Sequence, residues 1–285
     1  MTATDVTDDE PTVEEAALRE FLLGLADDDF ALGHRLTDWV GLGPTMEEDN
    51  TLASIAQDEL GHARLWYEAL ADRGLVEGDL DDLALNRRPA ARRNSTLVEV
   101  DHDDYADVVA ISLLYHDAER RLLEAVADGD DADLAGRSRQ ALDEEPFHRE
   151  HADLWSERLT ATDEARSRLE AALAAALPRT TDLFAFPERV ADPLVEAGTL
   201  AVDPAALRAE WAADVRDRLH ALDLSVGDEA LGALDAVDAA PERNGRVGEH
   251  TGALADLVDQ IHAGDDVLVG DHPVLRPRAD GGERP

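Results

Sequence analysis

The sequence predicts an all-α protein: a four-helix bundle with a C-terminal helical extension. Apolar residues recur at gaps of three and four over long stretches, the period of a helix with one buried face. Nothing alternates with the period of two that strands require. Breaker clusters such as Gly41-Leu42-Gly43-Pro44 and Asp128-Gly129-Asp130 punctuate those stretches at the intervals of helical hairpins.

Residues 1–12 are polar and read as a flexible N-terminus. A first helix follows from about Val13 to Trp39, with Leu18, Leu22, Leu25, Leu32, Leu36 and Trp39 as its stripe. Asp29 fills the one gap in that stripe, so the run Asp27-Asp28-Asp29 is expected to point one of its three acids into the core. An unpaired charge there would be very costly. The second helix, about Met46 to Arg73, carries Leu52, Ile55, Glu59, His62, Trp66 and Ala69 in phase. Residues 75–103 read as an irregular segment, and its Arg87, Arg88, Arg92 and Arg93 suggest a solvated loop or else a docking surface for an anionic group. The third helix spans about Asp104 to Ala127. The fourth, Ala132 to about Leu159, aligns Leu134, Ala141, Glu145, His148, Ala152, Trp155 and Leu159, with a kink expected at Pro146. A fifth helix, Asp163 to Ala176, closes a bundle over 13–176. Residues 177–269 read as the extension, with one helix running to Ala221 after the cap Asp203 and the first-turn Pro204, and a last one from about Glu249 to Ala263. Residues 270–285 read as a disordered tail.

Composition limits the chemistry. The 285 residues are 44% hydrophobic, enough for one sizeable core, and carry a formal charge of −39 spread along the whole length. All 26 basic residues are Arg. An acidic, lysine-free surface suits a cytoplasm at multimolar salt, where the Debye length shrinks to about 3 Å or less. No basic patch exists to hold nucleic acid. Without cysteine there is no disulfide, thiolate nucleophile, iron–sulfur ligation or zinc–thiolate site. The N-terminus lacks the marks of a signal peptide, and no apolar run approaches the ~20 residues of a membrane span, so the expected location is the cytoplasm.

The chemistry-bearing pattern is Glu-x-x-His, and it occurs twice: Glu59 with His62, and Glu145 with His148. A Glu and a His three apart share one helix face and can grip one metal ion. One such motif in an acidic chain is a weak signal. Two in phase with apolar stripes, each after a helix carrying an inward acid, match the ligand plan of a dinuclear helical bundle. Asp29 is the first-helix acid. The third helix leaves His116, Asp117 and Glu119 open, because its stripe is blurred. Asp29 precedes Glu59 by 30 residues and Asp117 precedes Glu145 by 28, so the chain reads as two similar halves in a ferritin-like arrangement. The candidate ligand set is Asp29, Glu59, His62, Glu145 and His148, with Asp117 taken from the third helix and His116 and Glu119 as its alternatives.

At these residues the chain resembles the phenylacetyl-CoA epoxidase subunit family. Ile55-Ala56-Gln57-Asp58-Glu59-Leu60-Gly61-His62-Ala63 and Glu144-Glu145-Pro146-Phe147-His148 are similar to motifs of the metal-bearing, PaaA-like side. The segment 201–211 and Gly245-Arg246-Val247-Gly248-Glu249-His250-Thr251 are similar to the companion, PaaC-like side. The resemblance implies a subunit of a multicomponent monooxygenase of aerobic phenylacetate catabolism. In that system a di-iron pair activates O2 and inserts one oxygen into the aromatic ring of phenylacetyl-CoA. The implied partners are a catalytic ferritin-like subunit and a flavin and iron–sulfur reductase, with no nucleotide or flavin on this chain. PaaC-like members serve as structural partners, whereas this chain keeps the ligand-type residues, so it is expected either to be such a partner or to hold two iron ions of its own. A metal-free scaffold subunit and a ferritin-like iron-storage or peroxide-scavenging protein are the rivals. His250 reads as part of a glycine-bounded turn or a partner contact.

Overall fold

The computed structural model describes residues 11–235 and 239–269, with side chains as far as His262; the expected N-terminal and C-terminal tails lie almost wholly outside them. Eleven helices and no strand are present among the described residues. Helix α1 (Val13–Thr37) starts at a capping box in which the Thr12 hydroxyl accepts from Glu15 N–H and the Glu15 carboxylate accepts from Thr12 N–H. It packs along α2 (Met46–Asp72), which is capped by Thr45. Helix α4 (Tyr105–Ala127) is buried on almost every side, the mark of a central helix. Against it pack α5 (Ala132–Leu142), α6 (Glu145–Leu159) and α7 (Asp163–Ala176).

The single fourth helix expected over 132–159 is two helices, broken at Asp143 and Glu144. Pro146 falls in the first turn of α6, where its missing N–H has no intrahelical partner to lose and its ring meets no preceding turn. The break lets α6 aim Glu145 and His148 inward independently of α5.

The segment 75–103 is not a solvated loop. It holds α3 (Leu80–Leu85) and 3-10 turns at 89–91 and 96–99, and Leu97, Val98, Arg92 and Glu99 within it are buried. Beyond the bundle, α8 (Glu188–Glu196) packs on α1 and α9 (Pro204–Ala221) on α4. Helix α10 (Asp228–Asp235) packs near the 3-10 turn at 177–182, and α11 (Gly252–Val269) starts three residues later than the sequence suggests. The sequence did not disclose α3, α8 or α10. All three are short, and α8 contains Pro193.

All three acids of the run Asp27-Asp28-Asp29 are buried, not one. Asp27 is clamped by Arg87, with Tyr67 Oη donating at 2.7 Å and Arg93 N–H at 2.8 Å. Arg92 Nη1 lies 3.6 Å away, and the two guanidiniums outweigh burial and hold the carboxyl below its usual range. Asp28 pairs with the fully buried Arg246 at 2.7 Å and accepts from Ser95 N–H at 2.6 Å. The same Arg246 also donates to the carbonyls of Gly24, Arg93 and Leu183, tying the C-terminal segment to α1. A Cβ on the preceding Gly245 would lie 1.9 Å from the Asn94 carbonyl oxygen, so only glycine permits this approach. His250 joins the same strap, bonding Glu99 at 2.6 Å and the Arg92 carbonyl at 3.1 Å.

Candidate metal centre

Glu59 and His62 lie on one face of α2 and Glu145 and His148 on one face of α6, as three-residue spacing dictates. Helix α4 faces both and contributes His116 and Glu119, again three apart. All six side chains are buried. They form two overlapping ligand sets: Glu59, His116, Glu145 and His148, and Glu59, His62, Glu119 and Glu145. Within each set the ligand atoms lie no more than 4.8 Å apart. Glu59 and Glu145, the acids of the two repeated motifs, belong to both sets.

The imidazoles face the acids through Nδ1. His62 Nδ1 lies 3.4 Å from Glu119, and His148 Nδ1 lies 3.3 Å from Glu59 and 3.2 Å from Glu145. Their outer nitrogens are held by a crossed pair of carboxylates. Glu144, preceding Glu145, bonds His62 Nε2 at 2.8 Å; Asp58, preceding Glu59, bonds His148 Nε2 at 3.3 Å. Each half of the repeat thus orients the imidazole of the other. Carboxylates in that outer position fix the tautomer and ring orientation of metal-ligating histidines. Sequence reasoning passed over Asp58 and Glu144. The signal was present, since each immediately precedes the Glu of a repeated motif.

Asp29 stands at the edge of the cluster, beside Glu119 and Glu59. Its Oδ1 accepts from Tyr115 Oη at 2.7 Å, while Oδ2 has no partner. The structure does not bring Asp117 to the cluster. Its carboxylate is held by Arg120 at 3.1 Å, Arg121 at 3.2 Å and Arg149 at 3.4 Å. A residue adjacent to His116 is rotated about 100° around a helix, so Asp117 cannot share the inward face with His116 and Glu119. Helix α4 therefore offers those two in place of the acid chosen from the repeat.

No arginine contacts Asp29, Glu59, Glu119 or Glu145 among the described residues, although the chain buries arginines elsewhere. The cluster also strands its polar atoms. Both oxygens of Glu59, both of Glu119, Glu145 Oε2, Asp29 Oδ2, His62 Nδ1 and both nitrogens of His116 are buried without a hydrogen-bond partner. Among the described residues, protons are the only other positive charge in contact with these acids. Burial, with Glu119 and Glu59 nearby, pushes the Asp29 carboxyl well up. Burial and Glu119 do the same to Glu145. Burial opposes charging of His62 and His148, yet the carboxylates prevail and lift them to about 10 and about 11. Such an array of carboxylate and imidazole donors suits divalent iron or manganese. The residues fit a dinuclear metal centre.

An all-α bundle with a buried cluster of this kind belongs to the ferritin-like class. In agreement, the structure resembles that of Protein 19 with aldehyde deformylating oxidase activity from Synechococcus. The TM-score is 0.50 with 19% identity, over 79% of this chain and 93% of the other, a likeness in fold alone. The chain itself belongs to the family described as Phenylacetic acid catabolic protein, whose profile matches residues 1–267. It is 31% identical to the C subunit of the 1,2-phenylacetyl-CoA epoxidase of Escherichia coli (strain K12) over 254 residues, 89% of this chain and 98% of the relative. No helix among the described residues is long and apolar enough to cross a membrane.

Proposed function

We propose that the chain is a subunit of a phenylacetyl-CoA-epoxidase-like multicomponent monooxygenase in phenylacetate catabolism, and that it holds a dinuclear iron centre of its own. Family membership and the end-to-end match to the Escherichia coli epoxidase component support the first part. One observation carries the second: the buried carboxylates of Glu59, Glu119 and Glu145, with Asp29 at their edge, meet three imidazoles and, among the described residues, no arginine. Two divalent ions would balance those four negative charges.

Iron held there would supply the dioxygen-activating redox chemistry of an oxygenase. The chain's own residues do the rest. Glu59 and Glu145, common to both ligand sets, would help to hold either ion, and His62, Glu119, His116 and His148 would complete one set or the other. Glu144 and Asp58 keep the His62 and His148 rings turned so that Nδ1 faces the cluster. Tyr115 holds one Asp29 oxygen and leaves the other free to bind. Burial excludes bulk water, which strengthens each of these interactions. The aryl-acyl-CoA substrate, a second ferritin-like subunit and an electron-supplying reductase would be met in the assembled complex.

Affinity purification of the tagged chain from its native cells in molar KCl tests the assignment. A stable hetero-oligomer with a second ferritin-like chain is expected. A monodisperse monomer that captures no such chain at any salt concentration would overturn it.

A further inference from the structure

His116 stands apart from the other two imidazoles. Its ring is 1% exposed, and neither nitrogen has a hydrogen-bond partner. A histidine retained only to fill a core would satisfy at least one of them. Nδ1 instead lies 3.4 Å from Glu59, 3.6 Å from Glu119 and 3.9 Å from Glu145, and the ring centroid sits 4.9 Å from that of His148. Among the described residues, no carboxylate outside the cluster orients it, in contrast with Glu144 on His62 and Asp58 on His148.

With Glu59 and Glu145 common to both ligand sets, the remaining donors divide unevenly. One set adds two imidazoles, His116 and His148. The other adds one imidazole, His62, and one carboxylate, Glu119, with the free oxygen of Asp29 beside it. Imidazole suits zinc, copper, iron and nickel, whereas carboxylate suits manganese and magnesium. We infer that the two metal positions are chemically unequal, an imidazole-rich one built on His116 and His148 and an oxygen-rich one built on His62 and Glu119. The centre therefore loads in two resolved steps and accepts a mixed pair, the more nitrogen-loving ion in the first position. This rests on the dinuclear reading above and adds to it a role for His116 and an order of loading.

The test uses ZnCl2 and MnCl2 with the metal-stripped full-length chain in molar KCl. Titration with Zn2+ should resolve two steps. One equivalent of Zn2+ followed by excess Mn2+ should leave one zinc and one manganese per chain after desalting. The Mn2+ should then give the six-line electron paramagnetic resonance signal of an isolated ion, not that of a coupled pair. H116Q should weaken the first step at least about tenfold, with the second step little changed. H62Q should do the converse. Two zinc ions taken up in one unresolved step, with H116Q indistinguishable from the parent, would overturn the inequality and leave the dinuclear centre standing. Failure of the parent chain to bind either metal would overturn both. If H116Q does not fold, the two-step isotherm and the mixed-metal loading of the parent chain decide the matter alone.

Discussion

Asp28 and Asp29 are neighbours on α1, both buried, and they meet opposite surroundings. Asp28 faces the guanidinium of Arg246 and the N–H of Ser95. Asp29 faces a tyrosine hydroxyl on one oxygen, nothing on the other, and the carboxylates of Glu119 and Glu59 beyond. Asp27 repeats the first pattern through Arg87 and Arg92. One turn of one helix therefore borders two kinds of buried acid. The first kind is paired with arginine and fastens the 75–103 segment and the C-terminal strap to α1, although burial still pushes the Asp28 carboxyl up to about 7. The second is left for something else to neutralise. A buried carboxylate thus says little by itself; the charge placed opposite it separates a structural role from a ligand role.

The largest effect should come from breaking the first kind. Arg246→Ala would leave Asp28 buried without its ion pair and free four backbone carbonyls, those of Gly24, Arg93, Asp182 and Leu183. It should destabilise the metal-free protein by about 3–5 kcal/mol in denaturant titrations at constant high salt. A loss below about 1 kcal/mol would show that Asp28 is not held by charge.

Alkaline pH should separate the two kinds further. The folded state raises His62 and His148 to about 10 and about 11. Their contribution to the stability of the metal-free protein is complete below the unfolded value of about 6.5, and is lost as pH rises through the folded values. Melting of the metal-free protein should therefore fall between neutrality and about pH 10–11. Metal requires deprotonated ligands, so Fe2+ uptake should release protons, detectable in a weakly buffered titration. Uptake without proton release would contradict a cluster charged in this way.

Asp29→Asn should have the smallest effect on folding. Burial and its acidic neighbours already disfavour the charged form, and the asparagine oxygen can still accept from Tyr115. The metal-free variant should melt within about 1 kcal/mol of the parent. The same change should weaken iron retention, because it removes a free anionic oxygen. A strongly destabilised metal-free variant would place Asp29 with Asp27 and Asp28 instead.

Much of the bundle was legible because α1 and α2 each exceed 20 residues and bury apolar stripes that repeat over several turns, while α4 was legible as a long apolar stretch between breakers. Short helices offer too few periods, which hid α3, α8 and α10. Glu59, His62, Glu145 and His148 were legible for the same reason as the stripe, since their spacing is set by one helix. The burial of Asp27 and Asp28 was not, because their partners Arg87 and Arg246 lie 60 and 218 residues away in sequence. On α4 the difficulty was different. Burial on nearly every face erases the phase signal, so the order His116, Asp117, Glu119 could not say which residues turn inward. The arginines around Asp117 settle that in space: Arg149, which helps to hold it outward, comes from a different helix.

The central claim is that metal balances the arginine-free cluster. Its direct measurement is the iron content of the chain after anaerobic Fe2+ reconstitution in molar KCl and desalting, read by elemental analysis beside Glu59→Ala and His148→Ala. The prediction is about two iron ions per chain in the parent and a loss of most of that iron in each variant, by the logic of paired Glu-x-x-His motifs. Fewer than about 0.2 iron per chain in a folded parent, against the two expected, would contradict the claim and leave the four carboxylates as a proton-bridged polar network.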